Sequence, residues 1–221
     1  MTRQRAPLDL REILQHLTRS ERTESYASLL WRSLKEDAGL LVSQGIRNSI
    51  AGSLLVPRVV RWLIYRMTGL EIDTFKVREE CRINNNHVAV GAGTSLNRAC
   101  YFEGSGAVRI GRDASIGPEC AFITSVHDWD ADGVLSHPRY LPITIGDRVW
   151  LGARVLVLPG AVVGADAVVA AGAVVRGSLR AGGVYAGVPA RWISDRVPDA
   201  ANINRVAGAR AGEGDTHETE A

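Results

Sequence analysis

Branched aliphatic residues recur at every sixth position through the second half of the chain: Ile145, Leu151, Val157, Val163, Val169 and Val175. Four residues after each of the first five stands a small or β-branched side chain: Val149, Val155, Ala161, Ala167 and Ala173. An earlier run, Ile110, Ile116 and Phe122, follows Val90, Leu96 and Phe102 in a frame displaced by two residues, which predicts a bulge near Gly104-Ser105-Gly106. A period of six matches neither the 3.6 of a helix nor the 2 of a strand. It predicts short strands joined by tight corners, each hexad forming one side of a triangular prism whose axis is filled by the aliphatics. With weaker hexads at Val77 and Ile83 there are between four and five coils, a column on the order of 20 Å tall at ~4.8 Å per coil. Glycine follows the same division, with 4 in residues 1–80, 16 in 81–193 and 3 in 194–221.

The flanks read differently. Leu8, Leu10, Ile13, Leu14 and Leu17, then Tyr26, Leu29, Leu30 and Leu34, recur at helical spacing, and Pro57 and Gly69 bracket a further apolar run as start and stop signals. Beyond residue 193 almost no large apolar side chains remain, so a flexible, disordered tail is expected. The expected organisation is an N-terminal helical segment (1–76), a coiled β domain (77–193) with a loop at 127–144, and a tail (194–221). Within residues 41–70 the arginines Arg47, Arg58, Arg61 and Arg66 stand without an acid. Helices packed on the base of the column, with these arginines solvated or paired, explain this better than membrane contact.

A net charge of +2 over 221 residues, with 46% hydrophobic and 23% charged positions, sets aside disordered and nucleic-acid-coating classes. The longest apolar stretches are cut by Arg154, Asp166 and Arg176, so none reaches the ~20 residues of a membrane helix. The opening Met-Thr-Arg-Gln-Arg-Ala-Pro leads into no apolar core of a signal peptide, and a cytoplasmic location is expected. Cys81, Cys100 and Cys120 each fall four residues after an aliphatic, the small inward position, which reads as buried and inert. No metal site is expected, since the chain has no Cys-x-x-Cys.

A strict repeat makes its interruption informative. Between Val126 and Ile145 the hexads stop for about 18 residues, a length that in a compact fold marks a functional or disordered segment. Trp129 and Tyr140 favour order, and His127 sits at the root, where a rigid coil would fix it while the loop walls in a substrate.

Residues ~77–193 resemble the hexapeptide-repeat acyltransferases, in particular the sugar O-acetyltransferases of maltose, galactoside, nodulation-factor and exopolysaccharide type. The stretches that carry the resemblance are Ser125-Val126-His127-Asp128, Pro142-Ile143-Thr144-Ile145-Gly146-Asp147-Arg148-Val149-Trp150-Leu151-Gly152, Ala170-Ala171-Gly172-Ala173-Val174-Val175 and Ala186-Gly187-Val188-Pro189-Ala190-Arg191. The resemblance implies a mainly β fold, a left-handed parallel β-helix, against the usual handedness of parallel crossovers. It also implies a homotrimer with active sites in the clefts between subunits.

The implied chemistry is direct acetyl transfer from acetyl-CoA to a hydroxyl of a sugar or glycoconjugate, with His127 as general base and no acyl-enzyme. By the same resemblance the Ala153 main-chain N–H meets the oxyanion, and Trp150 lines the thioester slot, with core or trimer packing as its alternative. Gly152, Ala171 and Gly172 offer backbone groups to the pantetheine arm, and Arg191 meets phosphate. Asn97 hydrogen-bonds the acceptor, with Glu103 a weaker candidate, and Asp128 or a backbone carbonyl orients the histidine. The chain departs from the family in carrying Arg176-Gly177 where relatives often have Thr-Lys, and Ser194 where a second arginine is expected. Arg176 stands in for the lysine charge. The competing readings are an antibiotic or amino-sugar-nucleotide acyltransferase, a non-catalytic carbohydrate-binding scaffold, and a zinc hydratase, whose three-histidine spacing His87, His127 and His137 do not match.

Overall fold

The computed structural model describes residues 44–196, apart from 85, 104, 131, 132, 135 and 136, together with the helical positions 28, 31, 32, 34, 35 and 42. Of the periodic N-terminal positions, Leu34 is helical and the others lie outside the described residues; of the expected tail 194–221, Ser194 and Asp195 belong instead to the strand Arg191–Asp195, and residues 197–221 lie outside the described residues. Contacts divide the chain into Met1–Gly45 and Ile46–Ala221, so residues 46–76 belong with the column.

The column has three parallel faces. The first stacks Glu71–Ile72, Val88–Val90, Val108–Ile110, Ile143–Ile145, Val162–Val163 and Ser178–Leu179. The second stacks Ser95–Leu96, Ser115–Ile116, Trp150–Leu151, Val168–Val169 and Gly183–Ala186, and is closed by the antiparallel strand Arg191–Asp195. The third stacks Arg82–Ile83, Tyr101–Phe102, Ala121–Phe122, Leu156–Val157 and Val174–Val175. The chain visits the faces in turn, so the hexad aliphatics pair with residues one coil on: Ile145 with Val163, Leu151 with Val169, Val157 with Val175. All six of the late series are at most 1% exposed. Val90 pairs with Ile110 and Phe102 with Phe122, which places the two-residue frame shift between Phe102 and Val108. Buried Gly106 lies in that insertion.

The corners explain the second periodicity. Three residues after most of the aliphatics the backbone turns into the left-handed region, at Glu80, Ala99, Asp113, Glu119, Arg148, Arg154 and Asp166 with φ between 54° and 62°, and at Gly93, Gly160, Gly172 and Gly182. That turn drives the next side chain inward, where Cys81, Cys100, Cys120, Val149, Val155, Ala161, Ala167 and Ala173 are all buried to 1% exposure or less. The non-glycine corner residues are mostly charged and pair between coils. Arg148 donates to Asp166 at 2.8 and 2.7 Å, and Arg154 to Glu119 at 2.7 Å. Such fully exposed pairs are screened by solvent and add little, so the corner shape is held by the coil ladder.

The helix Arg58–Met67 begins after Pro57 and ends before Gly69, whose φ is +86°. It caps the first coils: Trp62 Nε1 donates to the Ile72 carbonyl at 2.8 Å and Tyr65 is wholly buried in the core. Arg61 is also internal, 2% exposed, with its guanidinium donating to the carbonyls of Val77 (2.9 Å), Ser53 (2.7 Å), Val56 (3.1 Å) and Ala51 (2.5 Å). Arg47, equally buried, donates to the Thr68 carbonyl at 3.1 Å and to the Asn86 side chain. Two of the four arginines of this stretch are therefore internal ties, and basic charge there is no guide to an outside partner. Among the described residues no helix is long and apolar enough to cross a membrane.

Candidate functional site

The long break in the repeat leaves the third face after Phe122 and returns to the first at Ile143, so the ladder resumes two residues before Ile145. It is an ordered hairpin at its base. Ser125–Val126 pairs antiparallel with Arg139–Tyr140, and Trp129–Asp130 with Gly133–Val134. The Leu141 amide closes the base on the Thr124 carbonyl at 2.8 Å. His127 is the first residue past the Ser125–Val126 strand and is exposed. Asp128 is tied across the hairpin to Arg139, Nη2 to Oδ1 at 2.7 Å, an ion pair that holds its carboxyl below the ordinary carboxylate value.

Glu103 stands at the same corner one coil below. Its Oε2 accepts the Thr124 N–H (2.7 Å), the Thr124 hydroxyl (3.1 Å) and the Ser125 N–H (2.9 Å), and Oε1 accepts the Ser125 hydroxyl. Burial raises its pKa, but the bonds from Ser125 and Thr124 outweigh that and hold the carboxyl below its ordinary range. Thr124 is itself fully buried, and its Oγ1 accepts the Gly106 N–H at 2.9 Å. The two-residue insertion and the long loop, separate irregularities in the sequence, therefore touch.

The remaining candidates lie along another edge of the prism. Asn97, Gly152, Ala153, Ala171 and Gly172 occupy the corner between the second and third faces, while Glu103, the loop root and Arg176 occupy the corner between the third and first. Within one chain the two groups do not meet. Trp150 points out of the second face between Ser115 and Val168 and is 56% exposed, which rules out a place in the column core. Asn97 accepts the Arg98 N–H through Oδ1 at 2.8 Å. Arg191 is exposed on the closing strand, paired in register with Ala186.

Ala153 sits at the second position of a corner. Among the described residues its N–H takes no backbone acceptor, as is general for this position, and at Arg112 the same group is filled by Asp147 Oδ1 at 2.8 Å. The position thus leaves a main-chain donor that an anionic oxygen can use, as Asp147 does at Arg112. Beside it, Gly172 has φ +72° and open space where a side chain would be. A groove of about 430 Å³ runs over the first face, bordered by Glu71, Asp73, Arg109, Thr144 and Asp147, and no candidate residue lines it.

The three cysteines are buried one above another, each thiol directed at a carbonyl of the next coil: Cys81 at Asn97 (3.2 Å), Cys100 at Gly117 (3.3 Å), Cys120 at Gly152 (3.1 Å). Burial pushes the Cys120 thiol up to about 11. None is placed to act as a nucleophile. Among the described residues no group of three histidine, cysteine or acidic side chains gathers to hold a metal.

The hexad coil and its long loop have counterparts among known proteins. Residues 142–177 match the bacterial transferase hexapeptide (six repeats) family. The provisionally named acetyltransferase YJL218W of Saccharomyces cerevisiae is 32% identical over 134 residues, covering 59% of this chain and 68% of that protein. The provisionally named lipopolysaccharide biosynthesis O-acetyl transferase WbbJ of Escherichia coli is 41% identical over 97 residues, 39% of this chain and 49% of WbbJ. The crystal structure of a hexapeptide-repeat acetyltransferase of Vibrio cholerae, VCA0836, in complex with acetyl coenzyme A superposes with a TM-score of 0.66 at 24% identity, covering 73% of this chain and 90% of that one. The chain belongs to the hexapeptide-repeat acetyltransferase family, and its fold is the left-handed parallel β-helix. It spans about half the length of two of its relatives, WbbJ among them, and two thirds of YJL218W.

Proposed function

We propose that the protein transfers the acetyl group of acetyl-CoA to a hydroxyl of a sugar or glycoconjugate, with His127 as general base. The observation that carries this reading is the place of His127: exposed, one residue past a short strand that a rigid coil and an antiparallel partner both hold. In the reaction the imidazole takes the acceptor's hydroxyl proton as the oxygen attacks the thioester carbonyl. The oxyanion that forms is met by the Ala153 N–H. Collapse breaks the C–S bond, and the departing thiolate takes the proton back from the imidazolium, leaving free coenzyme A and the acetyl ester. No covalent enzyme intermediate is needed, in keeping with three cysteines buried in the column. Coenzyme A lies against Trp150 and the backbone of Gly152, Ala171 and Gly172, with Arg191 meeting its phosphates and Arg176 reaching them from the neighbouring column, on the same edge as that column's His127. Asn97 contacts the acceptor.

Asn97 and Ala153 stand on a different edge from His127, so in this reading one protomer's loop completes its neighbour's donor slot, as a homotrimer of the column would arrange. The names of the relatives support an acetyl donor and, for WbbJ, an oxygen acceptor in lipopolysaccharide synthesis. Acetyl-CoA as donor supports a cytoplasmic site of action. The test is thiol release from acetyl-CoA with a panel of sugars, methyl glycosides and glycolipids. His127→Ala is expected to lose ~10²-fold or more while keeping the wild-type assembly state. Release with amines alone would move the reading to N-acylation, and full activity of the variant would remove His127 as base.

A further inference from the structure

We propose that Glu103 is a positioning residue for the acetyl-transfer site, its carboxylate clamping Thr124 and Ser125 so that the strand they open delivers His127 to a fixed place. The inference rests on the reading of His127 as base, and it gives Glu103 a different task from contacting the acceptor.

Three observations carry it. First, Glu103 is itself anchored, since its backbone N–H donates to the Phe122 carbonyl at 3.1 Å within the coil ladder. A flexible side chain is thus referenced to the coil ladder. Second, the carboxylate accepts two consecutive backbone N–H groups and two hydroxyls, all from the first two residues of the loop root. Two carboxylate oxygens offer roughly four lone-pair directions, so four protein donors leave little capacity for a sugar hydroxyl. Third, the clamp is backed from behind. Gly106, in the two-residue insertion, donates to the Thr124 hydroxyl, and a Cβ at Gly106 would lie 2.9 Å from the Thr124 Cβ and 3.3 Å from the Leu141 carbonyl. The insertion packs against both strands of the loop base, the outgoing one through Thr124 and the returning one through Leu141.

The physical need is clear from the geometry. Ordinary corners of the coil are fixed by ladder bonds to the coil on either side. Beyond Thr124 the chain leaves that ladder, and a base displaced by about 1 Å from its acceptor can lose on the order of 10² in rate. The ionised carboxylate replaces the missing ladder with charge-assisted bonds, which are about twice as strong as neutral ones. His127 then lies two residues beyond the last clamped amide and directly before the Asp128–Arg139 pair, held from both sides.

Glu103→Gln is the discriminating variant. It keeps size and removes the charge, and one of its two terminal atoms becomes a donor facing donors. With acetyl-CoA as donor and maltose, methyl β-galactopyranoside and water as acceptors, kcat is expected to fall about 10-fold to 10²-fold with KM for acetyl-CoA within about twofold of wild type. The Ser125 amide, whose acceptor is the Glu103 carboxylate, should exchange its hydrogen at least about tenfold faster while amides of the coil ladder are unchanged. Ser125→Ala, which removes one of the four donors and leaves the charge, should give a smaller loss of the same kind. A raised KM for the sugar at unchanged kcat would make Glu103 an acceptor ligand and overturn the proposal. Wild-type kcat in Glu103→Gln beside an inactive His127→Ala would overturn it too, as would unaltered Ser125 exchange. Full activity of His127→Ala would instead fell the base assignment itself, and with it the purpose given to the clamp.

Discussion

Phe102 and Phe122, one coil apart on the third face, stack inside the column with ring centroids 4.7 Å apart and planes 9° from parallel. Isolated aromatic pairs favour offset or edge-to-face arrangements, so the near-parallel stack is imposed by the coil spacing of about 4.7–4.9 Å. Both rings are wholly buried, and the layers are in register because Phe102 pairs with Phe122 and Phe122 with Val157. Neighbouring coils cannot collapse into a void without breaking their own ladders. Phe122→Ala is therefore expected to cost about 3–5 kcal/mol, measured by urea denaturation at neutral pH. A loss under about 1 kcal/mol would show that the coils can close on the cavity.

The glycine that follows many of the hexad aliphatics has a different origin from the glycines at left-handed corners, and the two should respond differently to alanine. At Gly117 an added Cβ would lie 2.6 Å from the carbonyl carbon and oxygen of Gly152 and 2.7 Å from the Ala153 nitrogen, all backbone of the next coil. At Gly172 the φ of +72° is the sole obstacle, with nothing within 4 Å. Gly172→Ala should cost about 1 kcal/mol in the same denaturation experiment. Gly117→Ala should cost more than that, since two coils must separate to admit the methyl group. It should also displace the Ala153 amide and lower kcat. Equal costs at the two positions would contradict this assignment.

These two glycine classes show how far the sequence could be read. The hexad says which residue faces the axis, and it does so at every coil, because burial at the axis is a local consequence of strand and corner geometry. The small residue four places on, the frame shift after Phe102, the helix between Pro57 and Gly69 and the loop after Phe122 were all legible on that ground. Arg47 and Arg61 were not, because whether an arginine faces water or carbonyls is decided by the groups packed around it. Arg61 reaches the Val77 carbonyl sixteen residues on and others on its own side of the chain, an arrangement no spacing announces. The Glu103 clamp was half legible. Glu103 and Ile123 hold equivalent places one coil apart, so adjacency of Glu103 to the loop root followed from register alone. That its oxygens take the root's donors depends on how the chain leaves the ladder at Thr124.

The same carboxylate makes a prediction in pH with a definite sign. Folding holds the Glu103 carboxyl below its ordinary value near 4.5, the bonds from Ser125 and Thr124 outweighing the burial that opposes them. Above that ordinary value the group is ionised in folded and unfolded chains alike, and its contribution to stability is complete. As pH falls below it, the unfolded chain takes up the proton first, and the contribution drains away until the folded-state pKa is passed. Glu79, Glu119, Asp128 and Asp166 are shifted in the same direction, so wild-type stability alone would not isolate Glu103. The difference between wild type and Glu103→Gln does isolate it. In urea titrations that difference should be constant from pH 7 to about 6 and shrink steadily below about 4.5, because protonation makes the wild-type side chain as poor an acceptor of four donors as the amide. A difference that stays level or widens as the solution is acidified would mean that the charge on Glu103 does not hold the loop root.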